Sequence, residues 1–245
     1  NMFLFRKRSS EKLDLGWLHA DMHSHLIPGI DDGAPDMKTS MELIKRLCEI
    51  AYGKLITTPH ILWEIYPNTI EVISEGLGEL KRNAAAEGIN IELNAAAEYF
   101  IDDYFDTQLA TKAPLLKISE NMVLVEFSMV TATMDLQTTL FEAQLQNYQP
   151  VIAHPERYTY LTRRKEVFDD LKNAGCMFQM NLLSLTGYYG EPVQELAEYL
   201  IKKEYYDLAG TDLHGQKHLS ALQKLAGSQQ LKRLKDSGML KNAHL

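Results

Sequence analysis

The chain has 245 residues, with 25 Lys and Arg against 33 Asp and Glu, a net charge of −8, and 45% hydrophobic, 24% charged and 9% aromatic residues. A chain of this length buries roughly 70 to 75% of the surface its unfolded form exposes, so it needs neither disulfides nor a partner to hold a core. The acidic balance argues against broad nucleic-acid binding, and no apolar run approaches the roughly 18 residues of a membrane span.

Near the start, Arg6-Lys7-Arg8 follows a very short apolar stretch, the wrong order and length for a secretory signal. The only cysteines, Cys48 and Cys176, lie in apolar segments and read as core thiols of a reducing compartment. A cytoplasmic protein is expected. Residues 1–18 read as an N-terminal extension, Asn1 ahead of Met2 being an expression remnant, and residues 19–245 as one domain, since no linker, repeat or charge run divides them.

From Asp36 to Tyr52, Met37, Met41, Ile44, Leu47, Cys48 and Ala51 recur at helical spacing, and Gly53 is the stop. Lys54 to Thr58 is short, β-branched and closed by Pro59-His60, which predicts a buried strand with a histidine at its C-terminal end. A helix is predicted over Asn68 to Glu87 and a strand over Ile89 to Ala95, with Glu98 just beyond. An irregular segment through Pro114 leads to a strand over Met122 to Val125, which runs into Glu126. A helix over Asp135 to Asn147 precedes a strand over Pro150 to Ala153, ended by His154-Pro155. The alternation continues with a helix near Arg164 to Ala174, a strand near Met177 to Met180, a helix near Glu191 to Lys203, and a strand near Asp207 to Ala209 that ends at Thr211-Asp212-Leu213-His214. From about Ser228 the tail reads as a solvated last helix. Strands alternating with helices predict βαβ units and a mostly parallel sheet. The number of units and the polar residues closing nearly every strand favour a closed barrel over an open sheet, because barrel strand ends converge on one mouth.

Five of the eight histidines, His23, His25, His60, His154 and His214, fall at or just beyond predicted strand ends, beside Asp31, Asp32, Glu98, Glu126 and Asp212. Imidazoles and carboxylates brought to one mouth form a ligand set suited to Zn, Mn or Fe. In His23-Ser24-His25 the period of a strand sends both imidazoles to one face, and Asp212-Leu213-His214 repeats the spacing. An H-x-H pair alone is a weak signal, and a lone histidine is more often a hydrogen-bonded core residue. Glu126 is more informative, because it sits inside the apolar run Val123-Leu124-Val125-Glu126-Phe127, where an unpaired charge is costly unless a metal, or a salt bridge to Arg157, compensates it. Other chemistries lack their signatures: neither cysteine starts a Cys-x5-Arg loop, and the chain has no G-x-x-x-x-G-K-S/T, G-x-G-x-x-G or G-x-S-x-G motif. The residues themselves point to a metal-dependent hydrolase.

The stretches His23-Ser24-His25-Leu26-Ile27-Pro28-Gly29-Ile30-Asp31-Asp32-Gly33-Ala34, Thr57-Thr58-Pro59-His60, Ala97-Glu98-Tyr99, Val125-Glu126-Phe127, Ala153-His154-Pro155-Glu156-Arg157-Tyr158, Gln179-Met180-Asn181 and Gly210-Thr211-Asp212-Leu213-His214 occur in that order. With them the sequence resembles the PHP (polymerase and histidinol phosphatase) superfamily, and within it the bacterial manganese-dependent tyrosine-protein phosphatases of capsular and exopolysaccharide loci. The resemblance implies an α/β fold, a distorted (β/α)7 TIM-like barrel, with three divalent metal ions, manganese or else iron or zinc, in its mouth. It assigns His23, His25, Glu98 and Asp212 to one ion, Glu98, Glu126 and His154 to a second, and Asp31, His60 and His214 to the third, with Asp32 next in line. His154 and Arg157 are implied in catalysis, Arg157 also as a phosphate ligand.

The resemblance further implies a second phosphate-binding cation after the last D-x-H, for which Gly215-Gln216-Lys217-His218 offers Lys217 or His218. The implied substrate is a phosphotyrosine protein, a polysaccharide-export tyrosine kinase. A small-molecule phosphoesterase of histidinol-phosphatase type is the alternative. A third reading is a non-catalytic module docking a kinase or membrane through Phe3, Phe5 and Arg6-Lys7-Arg8. Tyr66, Tyr158, Tyr188 and Tyr189 are candidates for a phosphoaryl pocket.

Overall fold

The computed structural model describes residues 12–131 and 135–245, so Phe3, Phe5 and Arg6-Lys7-Arg8 lie outside the described residues. The strands are β1 (Ala20–Asp21), β2 (Lys54–Thr57), β3 (His60–Ile61), β4 (Glu92–Ala95), β5 (Glu98–Phe100), β6 (Met122–Glu126), β7 (Gln149–Ala153), β8 (Met177–Asn181) and β9 (Leu208–Gly210). They pair in parallel in the orders β1-β2-β4 and β3-β5-β6-β7-β8-β9.

These two runs are parts of one ring. β3 continues β2 past Thr58-Pro59, where proline offers no N–H to the ladder, and β5 continues β4 past Ala96-Ala97. Ala96 N still donates to Thr57 O at 2.9 Å, and Glu98 N to Pro59 O at 3.1 Å. On the other side Ser24 bridges Leu213 in parallel. There Asp212 N donates to His23 O at 2.7 Å, and His25 N to Leu213 O at 3.0 Å. The segments therefore occupy seven positions around a barrel, as the sequence predicts.

Helices α1 (Met37–Glu49), α2 (Ile70–Ala86), α3 (Asp103–Ala110), α4 (Leu136–Leu145), α5 (Glu166–Asn173) and α6 (Glu191–Lys202) carry the chain between strands and pack on the barrel's outside, and α7 (Gln216–Leu222) and α8 (Gln229–Ser237) follow the last strand. Asp36 caps α1 by accepting from Thr39 N at 2.8 Å. Helix α3 falls in the segment read as irregular: it is only eight residues long, with two buried apolar positions, Phe105 and Leu109, and its signal is the Asp102 cap on Phe105 N at 2.9 Å. Helix α8 is the expected last helix, but it is anchored by Leu231 and Leu234 rather than wholly solvated.

The small inner core of Met22, Ile56, Ala96, Leu124, Val151, Ala153 and Leu208 fills the barrel beneath the mouth, and a larger core separates strands from helices. Leu13, Leu15 and Leu18 belong to that larger core, so the packed unit begins before residue 19. Near the C-terminus, buried Asn242 ties the two short strands β1 and β9 together: its Nδ2 donates to Ala20 O at 2.9 Å and to Ala209 O, while its Oδ1 accepts from Ala209 N at 2.9 Å. Among the described residues no helix is long and apolar enough to cross a membrane.

Candidate metal centre

The polar ends of the strands meet at one end of the barrel. His23 and His25 lie just past β1, their ring centroids 5.4 Å apart, and Ser24 between them is buried with its hydroxyl donating outward to Ile56 O at 3.3 Å. Gly210 on β9 permits this approach, since a Cβ there would stand 2.5 Å from His23 Cβ. Glu98, the first residue of β5 and wholly buried, is the hub. Its Oε2 lies 3.1 Å from His23 Nε2, 3.4 Å from His25 Nε2 and 3.2 Å from His60 Nδ1, and its Oε1 is 2.9 Å from His154 Nε2. Asp212 Oδ1 stands 3.3 Å from the Nε2 atoms of both His23 and His25.

Three groups of potential ligands result: His23, His25, Glu98 and Asp212; His60, Glu98 and Glu126; and His25, Asp32, His60 and His214. His154 extends the second, 2.9 Å from Glu98 and 3.9 Å from Glu126 Oε2. The residues fit divalent cations on two observations. Asp212 Oδ1 and His60 Nδ1 are buried without a hydrogen bond, and mixed imidazole and carboxylate donors facing one another form a borderline metal's ligand set. Both His154 (φ 34°) and Asp212 (φ 49°) also hold left-handed backbone, strain of the kind kept at functional sites.

The outward ring nitrogens are anchored. His23 Nδ1 meets Gln179 Oε1 at 2.9 Å, His25 Nδ1 meets Asp31 Oδ2 at 2.8 Å, and His214 Nδ1 meets the Asp212 carbonyl at 2.8 Å. Such partners fix the tautomer and aim Nε2 inward. Asp31 is thereby placed behind His25: its Oδ1 accepts from Gly33 N at 2.9 Å and its Oδ2 from His60 N at 3.2 Å. Its neighbour Asp32 faces the mouth, with Oδ1 3.4 Å from His60 Nε2 and 3.3 Å from His214 Nε2. The two carboxylates follow each other in a turn, where spacing does not tell which one points inward.

The imidazoles and carboxylates shift one another's pKa values. The His214 and His60 hydrogen bonds keep Asp32 well below the usual carboxylate range. Burial opposes the charged form of His60, but Glu98 above all lifts its pKa to about 10. For His25, burial is likewise outweighed by Asp31, Asp212 and Glu98.

Arg157 stands on a short turn after β7, Nη1 3.1 Å from Asp212 Oδ2 and guanidinium 4.4 Å above the Tyr189 ring. Its partner is Asp212, not Glu126 or Glu156. Glu156 is buried and accepts from Asn181 N, Ser184 Oγ and Tyr206 Oη at 2.9, 2.7 and 2.9 Å. Asn181 Nδ2 donates to Asp212 Oδ2 at 2.8 Å and to Tyr189 Oη at 3.1 Å. Sequence reasoning gave no role to Gln179, Asn181 or Tyr189's support of Arg157.

A cavity of about 360 Å³ opens here, lined by Arg157, Tyr189, His218 and Met129 together with the cluster. Lys217 is exposed and outside this lining, because neighbours on helix α7 point about 100° apart and His218 takes the inward place. Of the tyrosines, Tyr66 stacks on His60 with ring centroids 5.6 Å apart, and Tyr188 packs edge-on against Tyr189. Tyr158 is wholly buried, its oxygen accepting from Phe127 N at 3.2 Å, and lines nothing.

A parallel α/β barrel with histidines and carboxylates converging at its C-terminal mouth defines the class of barrel metallohydrolases. The chain belongs to the capsular polysaccharide synthesis family CpsB/CapC, which matches residues 19–236. It is 26% identical over 197 residues to the tyrosine-protein phosphatase YwqE of Bacillus subtilis, covering 80% of this chain and 78% of that one. A crystal structure from the study of YwqE from Bacillus subtilis and CpsB from Streptococcus pneumoniae, described as metal-dependent tyrosine phosphatases, superposes with a TM-score of 0.78 at 24% identity, over 92% of this chain and 90% of the other. Histidinol phosphate phosphatase from Lactococcus lactis, bound to zinc, L-histidinol and phosphate, shares the fold with a TM-score of 0.55 at 17% identity, over 94% of each chain.

Proposed function

We propose that this chain is a metal-dependent phosphotyrosine-protein phosphatase of capsular polysaccharide synthesis, acting in the cytoplasm on a tyrosine kinase of polysaccharide export. The observation that carries this reading is Arg157, a guanidinium fork beside a cavity whose floor is the cluster around Glu98. Three divalent ions, manganese by preference, would be held by His23, His25, Glu98 and Asp212, by Glu98, Glu126 and His154, and by Asp32, His60 and His214. Asp32 replaces Asp31 in this assignment, and Asp31 keeps His25 oriented.

When bound, such ions would supply positive charge for the phosphoryl oxygens and a water of lowered pKa as the nucleophile. The protein's own groups do the rest. Arg157 exchanges its Asp212 contact for two equatorial phosphoryl oxygens, a geometry its planar fork matches. Asn181 holds Asp212 Oδ2 while that exchange happens, and Tyr189 keeps the guanidinium plane over the cavity. Of the two candidates, Lys217 and His218, it is His218 that lines the cavity and would take the second phosphate-binding place, as a ring N–H donor rather than a charge, because burial and then His214 hold its pKa down.

The test is to strip the protein with chelator and offer a phosphotyrosyl peptide and histidinol phosphate, with and without manganese, beside His154→Ala. Manganese-restored phosphate release from the peptide, lost in the variant, is expected. Release from histidinol phosphate alone would move the assignment to a small-molecule phosphoesterase. Metal binding with no release from either substrate would leave a binding module.

A further inference from the structure

Seven large hydrophobic side chains are left exposed among the described residues, and four of them, Trp63, Ile65, Val130 and Tyr188, lie on loops that follow the C-terminal ends of strands. Their distribution around the mouth is uneven. The loops after β7, β8 and β9 bring Arg157, Tyr189 and His218 to the cavity. The adjacent loops after β3, β5 and β6 bring Trp63, Ile65 and Tyr66, then Tyr104, then Met129 and Val130. One half of the rim carries the groups suited to an anion, and the other exposes most of the apolar side chains.

The apolar half is built rather than loose. Leu62 and Tyr66 pair as a small hairpin, with Tyr66 N donating to Leu62 O at 2.7 Å, so Trp63 and Ile65 stand at its tip. Trp63 stacks on Tyr104 at 4.1 Å with only 10° between the ring planes. Tyr66 stacks on His60, so the wall starts at the metal cluster and runs outward. At its far end Ile65 is 63% and Val130 84% exposed, which is much apolar surface to leave in water. The charges along these segments are all negative: Glu64 lies between Trp63 and Ile65, Asp102 and Asp103 precede Tyr104, Asp106 follows it, and no Lys or Arg occurs in 61–66, 101–106 or 127–131.

The open cavity of about 360 Å³ has room for a phosphoryl group and the ring that bears it. The flanking chain must then cross the rim, and the structure leaves it an apolar surface edged with negative charge. We propose that this wall is a docking surface for the residues beside the phosphotyrosine, and that it selects phosphotyrosyl segments with aliphatic or aromatic neighbours over segments with acidic ones. The proposal rests on the phosphatase reading above.

The test compares manganese-loaded protein and its Ile65→Ser/Val130→Ser double variant on p-nitrophenyl phosphate and on three phosphotyrosyl peptides, flanked by leucine, serine or aspartate. Both substituted side chains are solvent-facing and outside the catalytic groups. The leucine-flanked peptide is expected to have kcat/KM roughly tenfold above the serine-flanked one, on the order of the transfer of two partly buried side chains, with the aspartate-flanked peptide lowest. The double variant should lose that advantage through KM while hydrolysing p-nitrophenyl phosphate within about twofold of the parent. Equal kcat/KM for the three peptides, or an advantage that survives the double substitution, would overturn the proposal while leaving the phosphatase reading intact. No hydrolysis of p-nitrophenyl phosphate or of any peptide by the metal-loaded parent would overturn both.

Discussion

Asn181→Ala should weaken the metal centre without touching a metal ligand. The side chain is fully buried. It supplies two hydrogen bonds from Nδ2, to the Asp212 carboxylate at 2.8 Å and to Tyr189 Oη at 3.1 Å, and accepts one from Leu183 N at 2.9 Å. A hydrogen bond to a charged group contributes about 1.5–3 kcal/mol and an ordinary one about 1 kcal/mol, so the truncation should lower stability by about 4 kcal/mol. After it, Asp212 Oδ2 keeps only Arg157 at 3.1 Å. That change loosens the carboxylate that presents Oδ1 to His23 and His25, and loss of such an outer partner weakens metal affinity roughly 10- to 100-fold. It also binds Arg157 more firmly to Asp212, so KM for a phosphoryl substrate should rise. Calorimetric titration of manganese into stripped protein, beside urea unfolding, reads both effects. Tyr189→Phe removes the hydroxyl alone and keeps the Asn181 hydrogen bond to Asp212, so its metal affinity should stay within about threefold of the parent. Unchanged manganese affinity in Asn181→Ala, or an equal loss in Tyr189→Phe, would refute the reasoning.

Arg157→Lys keeps the charge but loses the fork and the stacking on Tyr189, and kcat/KM for a phosphotyrosyl peptide should fall roughly 100-fold while manganese affinity changes little; steady-state kinetics and calorimetry separate the two. Gly210→Ala pushes a Cβ to 2.5 Å from that of His23, and equilibrium dialysis should show fewer bound ions than in the parent. Asp21, buried and hydrogen-bonded to Thr211, has its pKa pushed up by burial from 3.8 to about 6. The folded state therefore binds more protons than the unfolded one between those values, and this group's contribution to stability falls as pH rises from about 4 to about 6, by about 3 kcal/mol, then stays constant. Asp21→Asn, which keeps an acceptor for Thr211 N, should flatten that part of the pH–stability curve of the metal-free protein, as urea midpoints from pH 4 to 7 would show.

Much of this architecture was legible because period and punctuation agree. The alternation of short apolar runs with amphipathic helices located the strands β2, β6, β7 and β8, and His60, Glu126 and His154 at the ends of the first three pointed to the mouth. Less legible was what depends on direction within a turn. In Asp31-Asp32 two like carboxylates compete for one place, and the Gly33 and His60 backbone N–H groups turn Asp31 away from the centre. Lys217-His218 poses the same problem on a helix. The short helix α3 has too few apolar positions for its period to show. Asn242 closes the barrel across 33 residues to Ala209 and 222 to Ala20, a contact no local pattern records. Gln179 and Asn181 hydrogen-bond the candidate ligands His23 and Asp212 rather than joining them, and amide side chains in an apolar strand carry no mark of that.

Anomalous diffraction from crystals of the manganese-loaded protein would test the centre most directly. Three peaks within the cluster are predicted, one between His23, His25, Glu98 and Asp212, one between Glu98, Glu126 and His154, and one between Asp32, His60 and His214, with Asp31 bound only to His25 and the backbone. Absence of peaks at Glu98, or a metal ligated by Asp31 in place of Asp32, would contradict the account.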